Sequence, residues 1–231
     1  MQYQNANFMM LPVLKFNLNE KIYVKDPESS DLGRKILQES ILLIDEMGFE
    51  HFTFKKLGER IGSNESSIYR YFENKHKLLV YLSSWYWSWL NYRIHLANMN
   101  IEDPLVKLKK AVLIVTEKIE DDSTTDYINE SVLNRIIISE FSKVLLTKEV
   151  DLDNKEGFFL VYKQVINHLT ELILQVSSNY TFAKSLASSV IEGALHQHFL
   201  KEHLKTITNC NDQVSPSDFY LHLVETVLNI K

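Results

Sequence analysis

Two short runs of helical periodicity, separated by a glycine, constrain the fold of this chain more than any other feature of its sequence. In residues 53–61, apolar residues and one glycine recur at i, i+3, i+4 and i+7, the spacing that places them on one side of a helix. Thr53 is a good N-cap for this helix. Gly62 can adopt the positive φ that ends a helix, and Asn64, also a favoured N-cap, predicts that a second helix starts there. The apolar side of the first helix consists of Phe54, Leu57, Gly58 and Ile61.

The second short helix presents polar side chains that suit a nucleic-acid groove. Ile68 and Phe72 lie four residues apart and face inward, so hydroxyl, phenol and guanidinium groups occupy the start and the outer side of the helix. Such a helix can enter the major groove of DNA, where its N-terminal residues meet base edges and its flanks meet phosphates. We therefore interpret the segment as a helix-turn-helix. We predict base or groove contacts for Ser66, Ser67, Tyr69 and Tyr71, and phosphate contacts for Thr53, Lys55, Arg70 and Lys75.

The same segment resembles the DNA-binding domain of the tetracycline-repressor (TetR) family of transcriptional regulators. Three positions depart from the family pattern: Gly58 stands where Ala is usual, Ser63 where Val is frequent, and Glu65 places an acid at the start of the recognition helix. The acid suits the helix dipole but repels phosphate. The resemblance is carried by Gly48-Phe49, Phe52-Thr53, Leu57-Gly58, Ile61-Gly62, the run Ser67-Ile68-Tyr69-Arg70-Tyr71-Phe72, Asn74-Lys75 and Leu78-Leu79.

This resemblance implies a function and a mechanism. Members of the family are homodimers joined through their C-terminal helices, which sets two recognition helices about one DNA turn, ~34 Å, apart on a palindromic operator. The resemblance further implies that a small molecule entering the helical body tilts the helix over residues 74–98 and changes that separation. We therefore expect a ligand-responsive transcriptional regulator, a repressor. Its partners would be double-stranded operator DNA, a second copy of the chain and a small apolar or aromatic effector.

The charge balance predicts weak non-specific DNA binding. The chain has a formal net charge of −5, and residues 31–80 contain eight basic and eight acidic side chains. Because a basic surface is the usual electrostatic feature of a DNA-binding domain, specificity here would depend on a few hydroxyls and phenols. The neutral segment and Glu65 leave an alternative open, in which a helical dimer of the same architecture binds a ligand or a protein and has lost useful DNA affinity.

Composition disfavours several other classes of protein. Cys210 is the single cysteine in 231 residues, which excludes an internal disulfide framework and fits a reducing cytoplasm. We find no signal-peptide pattern and no stretch near the roughly 20 apolar residues of a membrane span. His196 and His198 lie two residues apart and point to different sides of a helix, whereas metal ligands on helices favour i, i+4 pairs. We expect a cytoplasmic protein that is not an enzyme and holds no metal or cofactor.

The N-terminal residues follow a different pattern from the rest of the chain. In residues 14–25 apolar and polar residues alternate with the period of two that is typical of extended chain, and Asn19-Glu20 is placed like a turn. The segment could form a small hairpin or an ordered arm. Such an arm could reach into a minor groove, clamp a partner subunit, fold onto the neighbouring helices or stay mobile, and these alternatives remain open at this point.

Helical periodicity continues through the rest of the chain, interrupted by polar or Gly/Pro-containing breaks. About nine helices and no credible sheet predict an all-α protein. We divide it into an arm (residues 1–25), a three-helix helix-turn-helix DNA-binding domain (residues 26–73) and a larger helical ligand-binding and dimerisation domain (residues 74–231). The predicted helices span residues 26–47, 53–61, 64–72, 74–98, 103–120, 127–147, 158–176, 181–204 and 217–230.

The helix over residues 74–98 is apolar on two opposite sides, so we expect it to be buried on two sides. It is also rich in Trp and Tyr, which combine a large apolar area with one polar tip and therefore suit a ligand cavity. The alternative is that these rings only fill a core. We predict that the effector binds near Trp85, Trp89, Tyr92, Phe141 and Tyr162.

The last two helices have more apolar width than one neighbour requires. Small residues in the helix over residues 181–204 allow another helix to approach closely, and two such helix pairs related by a two-fold axis would form a four-helix interface. The alternative is that both apolar stripes face the rest of the same subunit. The predicted interface residues are Leu186, Val190, Gly193, Leu200, Phe219, Leu223 and Val227.

Overall fold

The computed structural model of the protein describes residues 15–119 and 125–230. Within these residues it contains eleven α-helices, three short 3-10 turns and no strand, which confirms the predicted all-α class. The helices are α1 (Asp31–His51), α2 (Phe54–Ile61), α3 (Glu65–Tyr69), α4 (Lys75–Asn98), α5 (Pro104–Thr116), α6 (Glu130–Glu140), α7 (Ser142–Leu145), α8 (Val150–Lys155), α9 (Leu160–Val176), α10 (Ala183–His203) and α11 (Pro216–Val227).

Side-chain caps explain where several helices begin. Asp26 caps the 3-10 turn Pro27–Ser29 rather than α1, and Ser30 then accepts the Gly33 N–H at 3.2 Å, so α1 starts later than predicted. At the C-terminal end of α1, Gly48 has φ 75°, which interrupts the regular helix before its last turn. Asn74 caps α4 through the Lys77 N–H at 2.9 Å, as the sequence indicates.

The largest differences from the predicted helices lie between residues 127 and 157. The single helix predicted over residues 127–147 is two helices, α6 and α7, and α6 begins only after Asn129, which accepts the Val132 N–H at 2.8 Å. Residues 149–157, which we expected to be a break between two helices, contain α8. Near the C-terminus, where we predicted a helix over residues 217–230, Ser215 caps α11 in a capping box with Asp218, so the helix begins earlier.

Residues 15–25 form an ordered arm rather than a hairpin, and residues 1–14 lie outside the described part of the chain. Residues 15–25 contain one 3-10 turn, Glu20–Ile22, and the alternating apolar residues Leu18 and Ile22 are buried. The Asn19 Nδ2 donates to the Glu156 carbonyl at 2.7 Å. The Phe16 ring meets Trp85 edge-on at 5.4 Å. This described part of the arm therefore folds onto the neighbouring helices, one of the alternatives left open by the sequence.

We call α1–α3 the helix-turn-helix unit and α4–α11 the body. Helix α4, the first helix of the body, begins against the end of α1. Its three tryptophans, Trp85, Trp87 and Trp89, are at most 2 % exposed. It packs against α5, α6 and α9, while α10 packs against α5, α6, α9 and α11. Burial on opposite sides explains why the α4 sequence has two apolar faces. In the described residues no helix is long and apolar enough to cross a membrane.

A second connection joins the helix-turn-helix unit to the body through α1 and the α6–α7 segment. Arg135 donates two hydrogen bonds to the Asp45 carboxylate, at 2.9 and 2.7 Å. The Glu140 carboxylate accepts the Phe49 N–H at 3.1 Å. Lys143 then pairs with Glu50 at 3.0 Å. These contacts join residues about ninety positions apart, so the helix-turn-helix unit is attached to the body here as well as through α4.

Candidate functional site

The turn between α2 and α3 is tight, and two glycines make it possible. Gly62 has φ 70°, the left-handed conformation in which a side chain is strained. The Ser63 N–H donates to the Gly58 carbonyl at 2.9 Å. A Cβ atom at Gly58 would lie 3.0 Å from the Ser63 carbonyl oxygen and 3.2 Å from the Glu65 nitrogen. The departure from the family's usual alanine at position 58 therefore accompanies a very close approach of α2 to the start of α3.

The start of α3 exposes hydroxyl groups in a fixed arrangement. The Asn64 Oδ1 accepts both the N–H and the Oγ–H of Ser67 at 2.9 Å, which caps the helix and orients the hydroxyl. Ser66, beside it, is exposed. Both serines therefore lie at the N-terminal end of the candidate recognition helix, where we predicted base or groove contacts.

Tyr69 is the most prominent group on this face. Its side chain is 48 % exposed, its ring packs edge-on against Phe54 at 5.1 Å, and its hydroxyl donates to Glu65 Oε1 at 3.2 Å. The hydrogen bond to the Glu65 carboxylate raises the pKa of Tyr69, so the phenol stays protonated. Glu65, the unexpected acid at the start of α3, thus positions the phenol of Tyr69.

Tyr71 does not lie on the exposed face, and the predicted groove contact is wrong for this conformation. The residue is 4 % exposed, and its hydroxyl lies 2.8 Å from the Ser30 hydroxyl at the start of α1. The Val24 N–H of the arm donates to the Tyr71 carbonyl at 2.8 Å. The prediction extended a helical pattern over residues 64–72, whereas α3 ends at Tyr69 and the backbone then turns inward.

Lys75 also has another role than the phosphate contact we predicted. Its ammonium donates to the carbonyls of Phe49, Glu50 and Phe52 at 2.9, 3.2 and 3.3 Å. All three donors of the ammonium are thereby used at the C-terminal end of α1, where a cation stabilises the unpaired carbonyls. Lys75 therefore holds α4 against α1 and is not available to phosphate in this conformation.

Most other cations of the segment are likewise engaged within the protein. Arg60 pairs with Glu39 at 3.1 Å and with Glu46 at 2.8 Å, which ties α2 to α1. Among the described residues, two of the eight basic side chains of residues 31–80, Lys55 and Arg70, have neither an ion-pair nor a hydrogen-bond partner, and both are exposed. The others contact carbonyls, carboxylates or a ring: Arg34, Lys35, Lys56, Arg60, Lys75 and Lys77.

The structure divides the five predicted effector residues between two sides of α4. Trp85 and Trp89 are stacked at 6.4 Å, and Tyr92 meets Phe16 of the arm at 6.3 Å, so these three rings belong to a packed core and its edge. Phe141 and Tyr162 lie on the other side, 5.1 Å apart. The structure therefore does not bring all five residues around one cavity, as we had predicted.

Trp87, which we did not predict as an effector residue, completes an aromatic triangle with Phe141 and Tyr162. Its ring lies 5.1 Å from Phe141 and 5.0 Å from Tyr162. The sequence does place Trp87 on the side of α4 opposite Trp85. Only the fold shows that this is the side that meets α6 and α9. A cavity of about 10 Å³ next to the triangle leaves no room for a ligand inside the core.

A larger opening begins on the outer side of the same triangle. It is a groove of about 390 Å³ between the α6–α7 segment and α10, which we call the α6–α10 groove. Ile138, Leu145, Phe141, Glu192 and Phe199 are among its lining residues. Its volume lies in the range of small-molecule sites. A groove of about 460 Å³ between α10 and α11 is larger, but the α6–α10 groove is the one lined by Phe141 of the aromatic triangle, so we take it as the candidate effector site.

The predicted dimer-interface residues also separate into two groups. On α10, Leu186, Val190 and Leu200 are buried within the subunit, and Gly193 accommodates the Tyr220 ring of the same subunit. These four residues therefore pack within one chain, the alternative we left open. On α11, Phe219 is 41 % exposed, and Leu223 and Val227 are partly exposed on the same side of the helix.

Glu28 is a buried carboxylate where the helix-turn-helix unit meets the body. It is 8 % exposed and accepts a hydrogen bond from Tyr81 on α4, at 3.2 Å. Its Oε2 has no hydrogen-bond partner among the described residues. Burial raises the pKa of Glu28 above its ordinary value of 4.5, and the Tyr81 hydrogen bond offsets part of this effect.

The raised pKa of Glu28 predicts that the free energy of unfolding depends on pH. Because the folded state binds this proton more tightly than the unfolded state, stability falls as pH rises through the folded-state pKa. We expect Glu28→Gln, which stays neutral, to gain stability relative to the wild type as pH rises, measured by urea denaturation at acidic and neutral pH. Tyr81→Phe is the opposite control, since it removes a donor to the charged form. A difference between Glu28→Gln and wild type that does not change with pH would contradict a raised pKa.

The geometry defines a class of protein: a helix-turn-helix unit with a small polar recognition face, attached to an all-α body. Residues 36–82 match the family described as bacterial regulatory proteins, tetR family. Residues 36–82 therefore resemble the N-terminal domain of that family, which confirms the predicted resemblance of this segment. No curated protein sequence matches the chain.

Solved structures resemble this chain over most of its length. AibR in complex with isovaleryl coenzyme A and operator DNA is 15 % identical, with a TM-score of 0.56 over 84 % of this chain and 97 % of that chain. The superantigen PfiT is 15 % identical, with a TM-score of 0.59 over 90 % and 100 %. The fatty acid degradation regulator FadR from Bacillus halodurans is 16 % identical, with a TM-score of 0.58 over 84 % and 93 %. At these identities the similarity establishes the fold alone.

Proposed function

We propose that this protein is a ligand-responsive transcriptional regulator that binds a palindromic operator as a homodimer and represses transcription in the cytoplasm. The observation that carries the proposal is the exposed face of α3, where Ser66, Ser67, Tyr69 and Arg70 project together from a capped helix. Thr53 and Lys55 lie exposed at the start of α2 beside it. Helix N-termini and cations next to a recognition helix suit phosphate contacts, while its hydroxyls suit base edges.

The outer side of α11 supports the homodimer. Phe219, Leu223 and Val227 form an incompletely buried apolar stripe along this helix. A second copy packed on this stripe through a two-fold axis would cover it and place two recognition helices on the same face of DNA. The neutral charge of the helix-turn-helix segment makes this arrangement important, since two weak half-site contacts together give useful affinity.

The two connections between body and helix-turn-helix unit support ligand control. On helix α4, Trp87 contacts Phe141, which lines the α6–α10 groove, and Lys75 donates to carbonyls at the end of α1. Helix α6 lines the groove and also holds Asp45 of α1 through Arg135. A molecule that binds more tightly to one arrangement of these helices shifts the population toward it. A 100-fold difference in affinity corresponds to roughly 2.7 kcal/mol of bias.

Selection from a random DNA library tests the proposed function and requires no assumption about the operator sequence. We expect the wild-type protein to enrich duplexes with two inverted half-sites whose centres are separated by about one helical turn or a multiple of it. Sedimentation of the selected duplex should show an even number of chains bound. Enrichment of no motif would reject the proposal.

Arg70→Ala is expected to weaken binding to every duplex by a similar factor and to lower the slope of log affinity against log salt by about 1, the value for a single phosphate. The physical reason is that Arg70 is exposed, unpaired and placed for a phosphate rather than a base. Anisotropy titrations at several salt concentrations measure both quantities. Lys184→Ala, which removes an equal charge from the exposed side of α10, should change neither. A weaker affinity for one DNA sequence alone would instead assign Arg70 to base readout.

A second candidate function rests on one observation, the engagement of six of the eight cations within the helix-turn-helix segment. A helical dimer with so little free positive charge could act by binding a ligand or another protein. The two functions are separated by the selection experiment, because a protein that has lost DNA affinity enriches no sequence even when the α6–α10 groove binds its ligand.

A further inference from the structure

The α6–α10 groove carries a charge that restricts which molecules it can hold. Its walls are mainly aliphatic and aromatic, and Glu192 is the one carboxylate among the described residues that line it, with His196 beside it on α10. None of these described lining residues is a lysine or an arginine. Lys143, next to the lining residue Ser142, is turned away into pairs with Glu50 and Glu140. The groove therefore combines an apolar surface with one exposed carboxylate.

Glu192 is held at the aromatic end of the groove. The Tyr162 hydroxyl donates a hydrogen bond to its Oε1. Burial and the neighbouring carboxylate raise the pKa of Tyr162, so that phenol remains a donor and fixes the position of Glu192. The rings of Phe141 and Phe199 line the same groove. A carboxylate beside aromatic rings favours a cation, because both the carboxylate charge and the ring faces attract positive charge.

We propose that the effector is an organic cation, an ammonium or similar protonated nitrogen joined to an apolar body. The nitrogen pairs with Glu192, and the apolar part lies against Ile138, Leu145 and Phe199. An anionic effector is disfavoured, because Glu192 repels it and the described lining supplies no lysine or arginine to pair with it. This inference rests on the proposed function for its regulatory meaning, while the binding preference itself stands apart from DNA binding.

The position of the groove explains how binding of such a cation can affect the helix-turn-helix unit. Phe141 lines the groove and also contacts Trp87 of α4 at 5.1 Å. One residue earlier, Glu140 accepts the Phe49 N–H at the end of α1. A ligand that moves Phe141 therefore acts on both connections between body and helix-turn-helix unit.

Isothermal titration with three probes of the same apolar body tests the charge preference. The probes are 4-phenylbutylammonium, 4-phenylbutanol and 4-phenylbutanoate, at a pH of about 8, where an alkylammonium is charged and an imidazole is ordinarily neutral. We expect the ammonium to bind at least about ten times more tightly than the carboxylate, which corresponds to the free energy of one charge-assisted contact. The affinity of the alcohol should lie between the two. Glu192→Gln should abolish this order, and Glu202→Gln, which removes an exposed charge from the same helix, should retain it.

Each other outcome overturns the proposal. Equal binding of the three probes, tighter binding of the carboxylate, no binding of any probe, or an unchanged preference in Glu192→Gln would each show that Glu192 does not select a cation. Failure of the cation proposal is distinguishable from failure of the proposed function. If both the wild type and Glu192→Gln select an operator, DNA binding is still supported even when the cation preference is absent. If the protein binds the cation but selects no DNA, only the proposed function as a transcriptional regulator is rejected.

Discussion

Replacing Trp87 by alanine is expected to lower the free energy of unfolding by about 3–5 kcal/mol, the cost of removing a large buried aromatic ring. The ring is 2 % exposed and lies 5.0–5.1 Å from Tyr86, Phe141 and Tyr162. Its loss would leave a cavity where α4, α6 and α9 meet. Urea denaturation followed by circular dichroism measures the effect as a fall in midpoint at unchanged slope.

Trp87→Phe is the matched control for this prediction. Phenylalanine keeps one ring in the triangle and removes the indole N–H, which has no hydrogen-bond partner among the described residues. We expect it to retain most of the stability that Trp87→Ala loses. A decrease below about 1 kcal/mol in Trp87→Ala would contradict tight packing at this position and, with it, the route from the groove to α4.

Tyr69→Ala is expected to weaken specific operator binding by about 1–3 kcal/mol, the range for removal of one good base contact, and to leave non-specific binding almost unchanged. The half-exposed phenol projects from α3 and is held by Glu65 at 3.2 Å. Since it carries no charge, its removal should not alter the salt dependence. Competition titrations with selected and random duplexes give the ratio of the two affinities.

Tyr71→Phe is the control that separates the two neighbouring tyrosines. It removes the hydroxyl that contacts Ser30 at 2.8 Å, and we expect a decrease in stability of about 1 kcal/mol with no change in the ratio of specific to non-specific affinity. If Tyr71→Phe lowers that ratio and Tyr69→Ala does not, the assignment of the recognition face is wrong.

Local signals in the sequence were sufficient for the helix-turn-helix unit and for α4. Thr53, Gly62, Asn64 and Asn74 act on neighbours within three or four residues, so their capping and turn-forming roles can be predicted without the fold. The all-α class follows from the same periodicity. The position of Tyr71 could not be predicted this way, because the arm and Ser30 cover it and both are distant in sequence.

The candidate effector site and the dimer residues depend on contacts between distant segments. Helical spacing shows that α4 and α10 have more than one apolar face but not which face meets another helix of the same chain. Val190 is thus buried within its own subunit, although it belongs to the apolar face of α10 from which we predicted a dimer interface. Likewise the sequence does not show that Glu192, an exposed side chain of α10, lines a groove, because α6 forms the other wall. The free charge of the helix-turn-helix unit also requires the fold, since Arg60 and Lys75 are engaged by residues of α1.

The central claim is that a nearly neutral helix-turn-helix unit reads DNA sequence through the exposed face of α3. The most direct test is the affinity of the wild-type protein for the DNA upstream of its own gene and for random DNA, each measured at low and at moderate salt. We predict a preference of about 10³ or more for the upstream DNA that persists at moderate salt. Equal affinity for the two DNAs, or no binding to either at moderate salt, would contradict the claim.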